Sequence, residues 1–242
     1  MGSRASHPVS RRPGLFLGVL AGALGAMPAL AEPLPSGIEA GLRVGYGIQS
    51  GKATGTEKYQ DAYLPAIVPF IVEGGYRLAE GRVFIGALFQ YGLAVDFYGF
   101  PASDCLSSGV ECSGRSLRLA IDTQFHLAPA TWYDPWIGLG MGYEWASINQ
   151  DHGSEALRRV DLLASGLELF NGEVGLDFHV APHFAVGPFF SGSFNRYSRV
   201  DVTCDGTICA DLQSALRDDE PSLHGWAIFG VRGTYFQLTD QK

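Results

Sequence analysis

Residues 82–97 read RVFIGALFQYGLAVDF. The odd positions are Val83, Ile85, Ala87, Phe89, Tyr91, Leu93, Val95 and Phe97, an unbroken apolar face. The even positions are Arg82, Phe84, Gly86, Leu88, Gln90, Gly92, Ala94 and Asp96, with a charge at each end and small or polar residues between. Successive side chains leave a strand on opposite sides, so a period of two predicts a β-strand. Ordinary strands run about 5–6 residues, and this one is far longer than a compact sandwich needs. A strand tilted across a bilayer needs about 9–11 residues for the hydrocarbon, and the surplus extends beyond it.

The alternation recurs along the chain. A first strand is expected over Gly37 to Ile48, with Ile38, Ala40, Leu42, Val44, Tyr46 and Ile48 opposite Glu39, Gly41, Arg43, Gly45 and Gly47. A second, over Tyr63 to Arg77, is disturbed by Pro65 and Pro69, which cannot donate to a ladder, while Glu73 and Arg77 share one parity. Ser116 to Leu127 is the cleanest, setting Leu117, Leu119, Ile121, Thr123 and Phe125 against Arg118, Ala120, Asp122, Gln124 and His126. Trp136 to Ile148 sets Ile137, Leu139, Met141, Tyr143 and Trp145 against Gly138, Gly140, Gly142 and Glu144. A loop with a helical turn is expected over Ser154 to Ala164, before a sixth strand in which Phe170, Val174, Leu176, Phe178 and Val180 oppose Asn171, Glu173, Gly175, Asp177 and His179. The seventh, Phe184 to Asn195, is followed by the longest expected loop, Ser198 to Pro221. The last, Leu223 to Leu238, leaves its facing open: Trp226, Ile228, Arg232, Phe236 and Leu238 share one parity, and Phe229, Val231 and Tyr235 the other. The result is eight strands with connections alternating long and short. That layout is an all-β, eight-stranded antiparallel up-and-down transmembrane β-barrel, with short periplasmic turns and longer outside loops.

The beginning of the chain is consistent with export. Arg4, Arg11 and Arg12 precede an apolar run from Leu15 to Met27 and then Ala29-Leu30-Ala31. This is a signal-peptide pattern, predicting residues 1–31 as the signal peptide and 32–242 as the barrel domain. Removing three arginines and no acid takes the net charge from −8 to −11. A chain this acidic lacks the basic footprint that nucleic acid requires. Charged residues at 17%, 32 glycines and 12% aromatics suit a barrel whose outer face cannot carry charge. All four cysteines follow the signal: Cys105 and Cys112, Cys204 and Cys209. An even count in an exported chain predicts disulfides, and each close pair falls in one turn-rich loop, which favours local pairing among three connectivities. Zinc is the alternative, but neither spacing is C-x2-C and no histidine adjoins either pair.

In pattern the whole mature chain resembles the small eight-stranded bacterial outer-membrane β-barrels, the OmpA transmembrane-domain, OmpX and OmpW-like group. The sharpest part is Arg232-Gly233-Thr234-Tyr235-Phe236-Gln237-Leu238, which is similar to the terminal signal of such barrels. The resemblance implies that Gly233, Phe236 and Leu238 are read by the barrel-assembly machinery. The chain runs on to Lys242, so the terminal-aromatic form of that signal is absent. Outer-membrane lipids and lipopolysaccharide are the other expected partners, and a monomer in the outer membrane is the expected state.

If the apolar parity meets lipid, the other fills the lumen. The expected lumenal network is Glu39, Arg43, Glu73, Arg77, Arg82, Gln90, Asp96, Arg118, Asp122, His126, Glu144, Glu173, Asp177 and His179. Buried charges must be paired or they cost several kcal/mol each. An eight-stranded barrel is only wide enough for its own side chains, so a largely plugged polar lumen is expected. The expected role is structural or surface-interacting, through disulfide-pinned loops on a rigid scaffold. A narrow pore for small or hydrophobic solutes is the alternative, and a soluble lipocalin-like binding barrel a second. No cofactor, metal or catalytic residue is expected. Ser222 and His224 beside Asp218 and Asp219 are the one outside cluster with nucleophile, base and acid types, and such residues are common in loops.

Overall fold

The computed structural model describes residues 36–51, 66–96, 110–151, 158–206 and 222–238. The signal-peptide segment, Pro65, Phe97, Cys105, Cys209, Asp218 and Asp219 lie outside the described residues. Eight strands follow in order: β1 Gly37–Gly51, β2 Ala66–Leu78, β3 Val83–Asp96, β4 Glu111–His126, β5 Tyr133–Asp151, β6 Arg159–Ala181, β7 Phe184–Asp205 and β8 Ser222–Leu238. Each pairs antiparallel with its sequence neighbour, and β1 pairs with β8 from Gly37↔Leu238 to Gly51↔His224, closing the barrel. Closure leaves no sheet edge within the membrane, which is the condition for crossing hydrocarbon with strands. The connections β2–β3, β4–β5 and β6–β7 are short and lie at the end carrying Gly37 and Leu238. By the rule of short inner turns, this is the periplasmic end.

The faces are as the alternation requires. Leu42, Ile85, Phe89, Leu119, Ile121, Leu139, Met141, Phe190 and Val231 point outward and are exposed, while Glu39, Arg43, Glu73, Asp122 and Glu144 point inward and are buried. A soluble binding barrel of the lipocalin type would have the opposite polarity. Aromatic side chains collect near the periplasmic end of the outer surface, where Trp132 packs on Tyr133 at 5.2 Å and on Phe178 at 5.7 Å. Tyr143 and Trp145 contact each other at 4.6 Å higher on β5. Such rings suit the membrane–water interfaces.

The structure departs from the sequence reading in β4, β6 and β7 and at Arg82; β4 starts at Glu111, so Cys112, like Cys204 of β7, stands on a strand and not within a loop. Arg159 to Ala164 continue β6 and are neither loop nor helical turn, and β7 runs on to Asp205 through what was expected to be loop. The pairing shifts between Glu168 and Phe170, so Leu169 and Phe170 both face outward. This bulge reverses the parity of β6 and disguises its first half. Arg82 is exposed in the β2–β3 turn and is not lumenal, because the inward run of β3 begins at Phe84. Pro69 sits within β2, in register with Gly92 of β3, at a point where the ladder to β1 is interrupted between Phe70 and Ile67. The missing N–H therefore faces the interruption.

The β2–β3 turn places Ala79 at φ 50° and Glu80 at φ 60°, followed by Gly81 at φ 77°. Left-handed backbone costs a non-glycine residue about 1–2 kcal/mol. Arg82 N–H donates to the Ala79 carbonyl at 3.2 Å, so the central pair is Glu80-Gly81, and its two left-handed residues match the turn that favours Asn-Gly. Replacing Glu80 by Asn, which creates the Asn-Gly pair, should raise unfolding free energy by about 0.5–1 kcal/mol, read as a higher midpoint in urea unfolding followed by tryptophan fluorescence.

Candidate functional site

The inward face builds one connected network around two arginines. Arg43 of β1 and Arg232 of β8 are direct register partners on the closing pair. Arg43 contacts Glu73, bonds Glu173 at 2.7 Å and lies 3.7 Å from Asp122. Arg232 donates to Glu73 at 2.6 Å, Glu39 at 2.8 Å and Asp177 at 3.0 Å. Between them lies Trp136 of β5, whose ring is 5.3 Å from the Arg43 guanidinium and 4.6 Å from that of Arg232. Trp136 has space because its neighbour across the ladder is Gly175, where a Cβ would fall 2.4 Å from the indole.

Toward the periplasmic end, Arg77 pairs with Glu39 and lies 3.6 Å from Asp134. Asp134 accepts from the Ala128 backbone N–H at 3.1 Å and lies 2.7 Å from His126 Nδ1. Phe236 lies under Arg77, its ring centre 4.4 Å from the guanidinium, and faces His179 at 5.8 Å. Toward the extracellular end, Arg118 pairs with Glu168 and bonds Gln90 at 3.3 Å. Glu144 accepts from Asn195 and Trp226 at 2.8 Å each and from Tyr197 at 3.3 Å, with His224 at 3.1 Å. Above it Ile148, Val160 and Leu162 are buried on the inward side together with Gln150.

The expected lumenal residues are thereby brought together, with three exceptions. Arg82 lies outside, His179 is only half-buried at the mouth, where it contacts the Thr131 carbonyl at 2.8 Å, and the Asp96 side chain lies outside the described residues. Several members escape the alternation. Asp134 precedes the expected start of β5, Glu168 stands before the bulge, and Arg232 belongs to the strand of undeclared parity. Gln124, Asn171, Asn195 and His224 are further buried polar residues. Phe84, Ile67, Ile71, Leu88, Phe189 and Trp226 are also inward and buried, so apolar character alone does not mark lipid contact. Of the outside cluster, His224 is turned inward to Glu144, and Ser222 starts β8 opposite Tyr197. The signal residue Phe236 is inward and Gly233 lies between Arg232 and Thr234 on the same strand, with Leu238 pairing Gly37. Neither Cys112 nor Cys204 is a free thiol.

No family model matches this chain, and no curated protein does. Among solved structures, Neisserial surface protein A is 11% identical at a TM-score of 0.48, over 81% of this chain and 97% of that one. The attachment invasion locus protein Ail of Yersinia pestis is 13% identical at 0.43, over 81% and 98%. OprG of Pseudomonas aeruginosa is 11% identical at 0.46, over 85% and 98%.

The network makes a sharp energetic distinction. Removing one member of a buried, multiply bonded pair costs about 3–5 kcal/mol because the partners keep their charge without compensation. Arg232→Ala should therefore lower barrel stability by that amount. Arg159→Ala, whose bond to Asp161 is solvent-exposed, should change it by less than about 1 kcal/mol. Equilibrium unfolding of both variants beside the parent checks the contrast. Closed antiparallel order, an apolar outer face, a charged lumen and short turns at one end together give this chain the fold of an eight-stranded antiparallel transmembrane β-barrel.

Proposed function

We propose that the protein is a structural or surface-interacting outer-membrane barrel whose lumen is closed and whose working surface is an extracellular wall. The observation that carries this is the unequal height of the strands. Among the described residues, the ladder between β3 and β4 ends at Leu93↔Arg115, and that between β7 and β8 at Tyr197↔Ser222. Strands β4 to β7 continue together to Glu111, Asp151, Arg159 and Asp205. From Ser198 to Asp205, β7 alone adds about 25 Å of strand at roughly 3.3 Å per residue. The outward side of this wall carries Glu111, Ser113, Arg115, Asp161, Arg199 and Asp201, a polar face suited to water and unsuited to acyl chains. Cys112 and Cys204 stand on its inward side, at the tops of β4 and β7. Disulfides Cys105–Cys112 and Cys204–Cys209 would pin the adjoining loops to it, presenting a fixed surface to lipopolysaccharide, a host or another cell.

A second reading, a narrow path for hydrophobic solutes, draws on the apolar inward positions Ile148, Val160 and Leu162 above Glu144. Planar-bilayer recording separates the two. The parent and a variant lacking all four cysteines should both show no discrete conductance steps and no uptake of an apolar dye into lipid vesicles. Steps or uptake in the parent overturn the closed lumen. Peptide mapping without reductant should recover the two local cysteine pairs, and a Cys112–Cys204 link would overturn the pinned loops.

A further inference from the structure

Among the described residues, the periplasmic half of the lumen buries six carboxylates, Glu39, Glu73, Asp122, Asp134, Glu173 and Asp177. It holds three guanidiniums, from Arg43, Arg77 and Arg232, and one imidazole, from His126. Even with a charged imidazole, this set carries a net charge of −2, although each carboxylate lies within 4 Å of at least one of these cations. A net charge buried without compensation is costly, so its neutralisation is favoured.

The place for it is marked by glycine. Asp122, Gly140 and Asn171 form one row across β4, β5 and β6, and Gln124, Gly138 and Glu173 form the next. Both rows face the lumen. The two glycines put no side chain between their flanking neighbours: a Cβ on Gly140 would lie 2.9 Å from the Ile121 carbonyl oxygen and 3.5 Å from Asp122 Oδ1, and one on Gly138 would lie 3.3 Å from Gln124 Cγ and from Glu173 Cβ. The amide nitrogens around it are already committed to carboxylates. Gln124 Nε2 donates to Asp122 Oδ2 at 2.7 Å, and Asn171 Nδ2 donates to Glu173 Oε1 at 2.7 Å. Their oxygens therefore turn away from those carboxylates. Gln124 Oε1, Asn171 Oδ1 and Asp122 Oδ1 are buried acceptors that receive no donor. A water offers two hydrogens and no charge, which serves neither the third oxygen nor the deficit.

We propose that this recess takes a hard divalent cation, ligated by Asp122 Oδ1, Asn171 Oδ1 and Gln124 Oε1 above Gly138 and Gly140. No three His, Cys, Asp or Glu side chains among the described residues form a metal-binding group, so amide oxygens are essential to this one. Calcium fits better than magnesium, because it accepts an irregular oxygen set where magnesium demands a near-ideal octahedron. With so few charged ligands, affinity belongs in the weak range, on the order of 10⁻⁴–10⁻³ M.

The test uses the full barrel refolded in detergent and stripped with chelator. Millimolar Ca²⁺ should raise the thermal unfolding midpoint of the parent, and Mg²⁺ or Na⁺ at equal ionic strength should do so much less. Asp122→Asn, nearly isosteric, should remove the Ca²⁺ response, and Asn171→Ala should weaken it. Asp161→Asn with Asp201→Asn, which alters only exposed carboxylates, should keep it. If the Asp122 variant folds poorly, tryptophan-sensitised Tb³⁺ emission displaced by Ca²⁺ in the parent gives an independent reading. No Ca²⁺ response in the parent, an equal response to Mg²⁺, or a full response in Asp122→Asn overturns the proposal and leaves a bound proton as the neutralising species.

Discussion

The closing ladder of this barrel places two positive charges face to face. Arg43 on β1 and Arg232 on β8 are direct register partners, an arrangement that repels unless something intervenes. What intervenes comes from elsewhere in the chain. Glu73 on β2 bonds both guanidiniums, Glu173 and Asp177 on β6 take one each, and Trp136 on β5 fills the space between. The first and last strands are thus joined by backbone hydrogen bonds outside and by shared counter-charge inside. Neither exists until the middle strands are in place. Glu39 and Arg232, bonded at 2.8 Å, stand 193 residues apart in sequence. Contacts this distant make loop-closure entropy a large early cost, so the network rewards only the completed barrel.

That dependence explains why the interior is polar at all. A purely apolar lumen of the same volume would hold together comparably well, since buried ion pairs seldom add net stability over hydrophobic packing. An apolar lumen, however, would make the two faces of every strand alike. A one-residue slip exchanges the two faces, and charge on one face is what makes such a slip intolerable in lipid. The lumenal charges therefore fix register against the membrane as much as they bind each other. Apolar inward residues are admitted only where a charged neighbour already settles the facing, as Ile71 beside Glu73 and Phe84 across from Arg77.

Most of this was legible in the sequence, because lipid enforces the rule that produces the alternation. The strand count, the antiparallel order and the facing of β1, β3, β4 and β5 follow from residues such as Leu119 against Arg118 and Leu139 against Glu144. Legibility fails where that enforcement lapses. Upstream of the bulge, Arg159 to Glu168 lie on the extracellular side, where both faces tolerate mixed chemistry, and the parity jump at Leu169 hides their continuity with the rest of β6. The facing of β8 stayed open because its inward set mixes Arg232 with Trp226, Ile228 and Phe236. Only their neighbours Glu144, Trp136 and Arg77 show why large apolar rings belong inside. Arg82 misled in the opposite sense: it has the inward parity of β3 but stands one residue before the strand begins.

The unequal strands turn the same physics to another end. About 9–11 residues suffice to cross the hydrocarbon, yet β6 has 23 and β7 has 22. Above the Arg118–Glu168 pair the strands leave the region where lipid dictates their outer face, and ion pairs such as Arg199 with Asp201 appear outward. The inward side changes as well, from charged residues to the uncharged Ile148, Gln150, Val160 and Leu162. This inversion is what a strand must do when its outer neighbour changes from acyl chain to water. The molecule is one continuous sheet with two solvents. Its lower part is set by the charged lumen, and its upper part is free to vary in its outer face without disturbing closure.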